Sequence, residues 1–210
     1  MSPRRAAVLR DGDRSLREHL IAVAERLIAG RGAAGLTVRD IAREAQVADG
    51  VLYNHFADKE ELLAYALQAH VRTVWAGAGG PPPTPGSATV EANLRVHLTR
   101  ALALHAAILP AFAGLLHQPR LLARLAELSG PTGPGPGTRD EVAGYVRAEQ
   151  GLGRIAPDAA ADAVATLLVG VCHDLVLGRL LNPAAPDEVP AGTIDDLVRT
   201  LLRGILPADR

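Results

Sequence analysis

Tyr53, His55 and Lys59 fall within the stretch VADGVLYNHFADKEELL, residues 47–63, of a chain with 3 tyrosines in which Lys59 is the only lysine. A phenol, an imidazole and an ammonium are all hydrogen-bond donors, and so close together they suit the oxygens of a polyanion such as a phosphate backbone. A second set, Cys172, His173 and Asp174, contains a nucleophile, a base and an acid. Neighbours on one helix point about 100° apart, so these three cannot form a catalytic relay. With no phosphate-binding glycine loop and no zinc-type repeat of ligands either, the sequence is read as a non-enzyme with no catalytic residue and no cofactor.

A third set is the scatter of His97, Arg100, His105, Phe112, His117 and His173 among apolar residues. Such a lining suits an apolar organic molecule carrying one or two polar groups, and these six are the candidate ligand residues. Histidine, cysteine and aspartate are also metal ligands. However, His97 and His105 are eight positions apart, about 12 Å along one helix and too far to share an ion. No metal site is assigned.

The elements that must carry these residues are all helical. Leu16, Leu20, Val23, Ala24, Leu27 and Ile28 follow the i, i+3, i+4, i+7 pattern of an amphipathic helix that Gly30 and Gly32 end. Thr37 stands as N-cap to VRDIAREA, which buries Val38, Ile41, Ala42 and Ala45. Gln46 and Val47 make a very short break, Ala48 to Phe56 a third helix, and Asp58 caps a fourth. Short helices joined this tightly form a helix-turn-helix, backed by the first helix. In the third helix Val51, Leu52 and Phe56 face inward, leaving Ala48, Asp49, Gly50 and Tyr53 outward. Small leading residues let a helix enter a major groove without collision.

Prolines and glycines over 76–87 read as a linker. Beyond it lie a helix from Val90 to Leu116 that Pro110 kinks or splits, one from Pro119 to Gly130, a mobile loop PTGPGPG, and one capped by Thr138 and stopped by Gly151 and Gly153. A long apolar one capped by Asp158 and a last one striped by Ile194, Leu197, Val198, Leu201, Leu202, Ile205 and Leu206 complete the chain. No strand pattern competes. The two final helices offer Leu168, Val171 and Leu175, then Leu197, Val198, Leu201, Leu202 and Ile205, as a face that packs against its copy in a four-helix dimer interface.

The segment LTVRDIAREAQVADGVLYNHFADKEELL resembles the DNA-binding signature of the tetracycline-repressor (TetR) family of transcription regulators, over about residues 16 to 65. Shared are the Thr-Val-x-x-Ile-Ala start of the second helix, Val47, and then Gly50, Leu52, Tyr53, His55, Phe56 and Lys59 at the family's spacing. The chain has Gln46 where members often carry Gly, and Ala48 where they often carry Ser or Thr. The resemblance implies that Thr37 and Arg39 approach backbone or bases, that Ala48, Asp49, Gly50 and Val51 face the bases, and that Tyr53, His55 and Lys59 hold phosphates.

It further implies an all-α protein: an arm and three-helix helix-turn-helix domain over 1–64, and a larger helical ligand-binding and dimerisation domain over 65–210. The partners implied are a double-stranded, inverted-repeat operator, a small-molecule effector that releases it, and a second copy of the chain. A helical protein-interaction module and a metal-responsive regulator are the competing readings.

Bulk properties agree. The net charge of -1 leaves no excess of basic charge, so any DNA contact depends on where charges sit. Arg4, Arg5, Arg10, Arg14 and Arg17 stand against Asp11 and Asp13 at the start, either a solvated tail or a minor-groove arm. One cysteine excludes an intrachain disulfide. Without a signal-like start or an apolar run of about 20 residues, the chain is expected in the cytoplasm, away from membranes.

Overall fold

The computed structural model describes residues 3–78, 80–129, 137–182, 184 and 189–204, with side chains from Arg14 onward except that of Leu116. Its elements are α1 (Pro3–Arg31), α2 (Val38–Ala45), α3 (Asp49–Leu52), α4 (Lys59–Gly77), α5 (Val90–Phe112), a 3-10 turn (Leu115–His117), α6 (Pro119–Ser129), α7 (Thr138–Gly151), α8 (Ala161–Leu181) and α9 (Thr193–Arg203). No strand occurs among the described residues, and the all-α class holds.

Several boundaries follow their expected chemistry. Thr37 caps α2, and the Asp58 carboxylate accepts the Glu61 N–H (2.7 Å) at the start of α4. Others differ. The helix expected over 48–56 is the four-residue α3. Beyond Leu52 the amides of Asn54 and His55 bond back three residues, to the carbonyls of Val51 and Leu52 (both 3.1 Å), so the chain tightens into turns. Gly50 inside this piece and the lack of a side-chain cap at Ala48 leave little to prolong it. Thr138 is the first residue of α7, whose N-cap is Gly137, and Ala160 rather than Asp158 is the N-cap of α8. Pro110 sits in the last turn of α5 without ending it. The first helix begins at Pro3, well before Leu16. The side chains of Arg4, Arg5 and Arg10, the loop at 131–136 and Ile205 lie outside the described residues.

Two compact units emerge: Met1–Ala76 with Pro110–Gly135, and Gly77–Leu109 with Pro136–Arg210. This division differs from a cut at 64/65. The first unit's core is Leu20, Ile28, Ile41, Leu52, Phe56 and Leu63 with Ala111, Leu115, Leu121 and Leu125, so the end of α5, the 3-10 turn and α6 share the apolar centre of the helix-turn-helix. The Ala33 N–H donates to the Ala111 carbonyl (3.3 Å) and Gln68 Nε2 to the Leu128 carbonyl (3.2 Å). A Cβ at Gly114 would lie 2.9 Å from that of Ala34, which shows how closely the two segments approach.

The second unit's core joins Leu94, Leu98, Val142, Val146, Ala165, Leu168, Cys172 and Val198. Its helix α8 overturns one expectation. It is 21 residues long and its most apolar stretch has mean hydropathy 1.7, enough by length and composition to cross a membrane. It carries Asp162, Asp174 and Arg179, so it is apolar on average and not an unbroken apolar run. Only 22% of its most apolar stretch is buried, and Leu167 and Leu181 are 60% and 83% exposed.

Candidate nucleic-acid interface

The site is built on a reciprocal cap. Thr37 Oγ1 accepts the Asp40 N–H (3.1 Å) and donates to Asp40 Oδ2 (2.7 Å), which also accepts the Thr37 N–H (3.0 Å). Those bonds, helped by the charges of Arg31 and Arg43, hold the Asp40 carboxyl below its usual range. The Thr37 hydroxyl is thereby committed to starting α2. At the other end Gln46 adopts φ 57°, ψ 42°, the one left-handed non-glycine among the described residues. Its N–H returns to the carbonyls of Ala42 and Arg43, and the Val47 N–H to Ala42 (3.0 Å), which turns the chain sharply into α3.

On α3 the division of faces is as expected: Leu52 and Phe56 are buried, Val51 is half-buried, and Ala48, Asp49 and Gly50 are exposed. Tyr53 is 60% exposed just past the helix end, and His55 is half-buried in the turn. Arg39 and Asp49 meet across the α2–α3 turn, Nε to Oδ2 3.5 Å, both largely exposed. The carboxylate at the head of α3 therefore has an arginine of the same surface as its neighbour. Lys59 opens α4, with Nζ 3.4 Å from the Leu36 carbonyl.

Sequence reading missed Arg17, which it left in the basic N-terminal run. Its guanidinium lies 4.3 Å from the Tyr65 ring centroid and 4.7 Å from that of Phe56, and 3.6 Å from Glu61. Glu61 in turn accepts the Ala57 N–H (2.7 Å), so α1 clasps the segment between α3 and α4. The signal was present: Arg17 shares a helical face with Leu20, Ile21 and Ala24.

The candidate ligand residues divide between the units. Phe112 and His117 belong to the first and the other four to the second. His97 is 2% exposed, its Nδ1 lies 3.4 Å from Glu141 Oε1, and its ring is 4.6 Å from that of Tyr145. Arg100 lies 3.7 Å from the same Glu141 oxygen and donates to the carbonyls of Ala78 (2.5 Å) and Gly80 (2.6 Å). His105 Nδ1 donates to the Ala101 carbonyl (2.6 Å), and its ring stands edge-on to His173 at 4.7 Å. Burial is the main force pushing the His105 pKa down; the Ala101 bond opposes it and His173 adds to it.

Asn93, Tyr145 and Glu149 were not singled out, yet they run with His97 and Glu141 along a buried polar seam between α5 and α7. The Asn93 amide nitrogen, both His97 nitrogens and the Tyr145 hydroxyl find no hydrogen-bond partner. The Tyr145 hydroxyl stands near Glu149 and Asn93 without proper geometry, and burial first, then Glu149, pushes its pKa up to about 12. Spacings of four, 93–97 and 141–145–149, were the available signal. Beside the seam is a cavity of about 280 Å³ lined by Leu94, Val146, Ile155, Val164 and Arg154.

Cys172 is buried while His173 and Asp174 are exposed, so the three share no site. Among the described residues no group of three or more His, Cys, Asp or Glu side chains is placed to hold a metal ion. Of the expected interface residues Leu168 and Val198 are buried within the protomer, Val171, Leu175, Leu197 and Leu201 are half-buried, and Leu202 is exposed.

Residues 20–66 match the profile of bacterial regulatory proteins of the tetR family. Over 62 residues the chain is 40% identical to the HTH-type transcriptional repressor KstR2 of Mycobacterium tuberculosis, a match covering 30% of this chain and 31% of that protein. It thus aligns with about a third of the length of this curated relative. In fold it is similar to the fatty acid degradation regulator FadR from Bacillus halodurans (TM-score 0.62, 18% identity, 89% of this chain and 94% of that one). It is also similar to the transcriptional regulator FadR from Bacillus subtilis, solved with stearoyl-CoA (TM-score 0.58, 18% identity, 90% and 99%).

Proposed function

The chain belongs, through residues 20–66, to the tetR family of bacterial regulatory proteins, and from that premise we propose that it is a cytoplasmic, dimeric transcriptional repressor released from DNA by a small molecule. The observation that carries this reading is α3, whose exposed face is led by Ala48, Asp49 and Gly50 and flanked by the exposed Tyr53. Ala48, Asp49, Gly50 and Val51 meet base edges in the major groove, with Arg39 reaching in from α2. Tyr53, His55 and Lys59 bind phosphates and fix the register, and Thr37 acts by orienting α2.

The second copy covers α8 and α9. A helix as apolar as α8 that stays mostly uncovered calls for a partner. Next to it an open apolar groove of about 720 Å³ is lined by Leu167, Leu168, Val171, Leu197 and Leu201. Two-fold pairing through this face matches an inverted-repeat operator. The effector enters the second unit at the seam of His97 and Arg100, with His105 and His173 as further contacts. Each unpartnered buried polar atom there costs about 1–3 kcal/mol, which a guest with complementary polar groups recovers. Phe112 and His117, in the first unit, are left outside this effector set.

Selection of bound duplexes from a random pool, followed by anisotropy titration at two salt concentrations, tests the proposal. An enriched inverted repeat bound by a dimer, with affinity falling steeply in salt, is the expected result. Salt-sensitive binding without any sequence preference refutes it.

A further inference from the structure

The first unit holds a cleft of about 530 Å³ lined by Gly35, Lys59, Glu60, His117, Gln118 and Arg120. One wall is the start of α4; the other is the 3-10 turn and the first turn of α6, far along the sequence. The walls are tied together: Arg124 of α6 reaches the Asp58 carboxylate at 3.3 Å. The cleft's cations face a single carboxylate, that of Glu60. Arg39, Arg43 and Arg124 each have an acidic neighbour, whereas Arg120 has no ion-pair partner among the described residues. The first turn of α6 carries no acidic side chain.

We propose that Lys59, His117 and Arg120 together take one backbone phosphate of the operator, so that the segment 117–120 adds DNA contacts to those of the helix-turn-helix. The inference rests on the regulatory reading above, in which Lys59 already meets a phosphate. A guanidinium and an imidazole sharing a cleft with that ammonium supply further donors to the same diester oxygens. An open cleft suits a phosphate presented by a duplex, which brings its own neighbours; a free ion needs enclosing donors. His117, expected from sequence to touch the effector, is assigned here to DNA.

The test uses the full chain and its selected operator, titrated by anisotropy over a salt series, for wild type, Arg120→Gln, His117→Gln and Arg147→Gln. Arg147 is an exposed arginine of the second unit and controls for net charge. Each phosphate contact contributes about 0.9 to the slope of log K against log salt. Arg120→Gln should therefore flatten the slope by about one per protomer and weaken binding of every sequence alike, while His117→Gln should weaken every sequence alike through the lost imidazole contact. An unchanged slope in Arg120→Gln, unchanged affinity in His117→Gln, or an equal slope change in Arg147→Gln overturns the proposal while leaving the regulatory reading intact. Competition by inorganic phosphate with the DNA slope unaltered also overturns it. Failure of the wild-type chain to select any operator overturns both.

Discussion

Replacing Gln46 by Gly should stabilise the first unit, because Gln46 holds φ 57° where a side chain crowds its own backbone. The left-handed region costs a residue with a Cβ roughly 1–2 kcal/mol. Glycine returns about 0.4–1 kcal/mol of that as extra freedom in the unfolded chain, leaving a net gain of about 0.5–1 kcal/mol. Gln46 is exposed, and the hydrogen bonds it donates to Ala42 and Arg43 are backbone bonds that glycine retains. Urea unfolding followed by helical circular dichroism on the series Gly, Asn, Gln, Val should give midpoints falling in that order, because Asn tolerates this conformation best after Gly and a β-branched residue least. Operator affinity should be unchanged in Gln46→Gly. If Val is as stable as Gln, or Gly no more stable, position 46 is not left-handed and the turn between α2 and α3 is made in another way.

Asp49→Ala should free Arg39 from its neighbour at 3.5 Å and change which half-site bases are preferred in duplex selection; an unchanged preference would remove Asp49 from the base-facing set. Stability should fall below the ordinary histidine range: His105 has a depressed folded pKa, so its contribution is fully present above the unfolded value of about 6.5 and is lost as pH falls from there through the folded value. Urea midpoints at pH 8 and pH 5 should therefore differ less in His105→Gln than in wild type. Leu167→Lys places a charge on the uncovered face of α8, and sedimentation should show the dimer weakened at least tenfold with the helical content retained.

What the sequence made legible was mostly local. The N-cap at Thr37, the cap at Asp58 and the inward set of Leu52 and Phe56 need only short-range spacing, and the structure has each of them. The length of α3 was misjudged because helix and successive turns share nearly the same apolar spacing over so few residues. Thr138 and Asp158 have the residue types of caps, yet Gly137 and Ala160 begin the helices without a side-chain bond; residue preference at such ends is weak against tertiary packing. The joining of Pro110–Gly135 to the first unit depends on contacts such as Gly114 with Ala34, which no local pattern encodes. The unpartnered seam of Asn93, His97 and Tyr145 is likewise a property of two helices facing each other.

Cys172 is the sole thiol of the chain, fully buried in the second unit's core, and burial pushes its pKa up to about 11. Only a thiolate reacts quickly with a disulfide reagent, so labelling of the native protein must wait for that core to open. The chain thus carries its own chemical stopwatch: with reclosing faster than modification, the rate of thiol capture reports the opening equilibrium of the second unit. The first unit contributes no thiol and stays silent. A molecule lodged between α5 and α7 should slow that capture in proportion to its occupancy, giving a ligand screen that needs neither the operator nor a fluorophore on the protein.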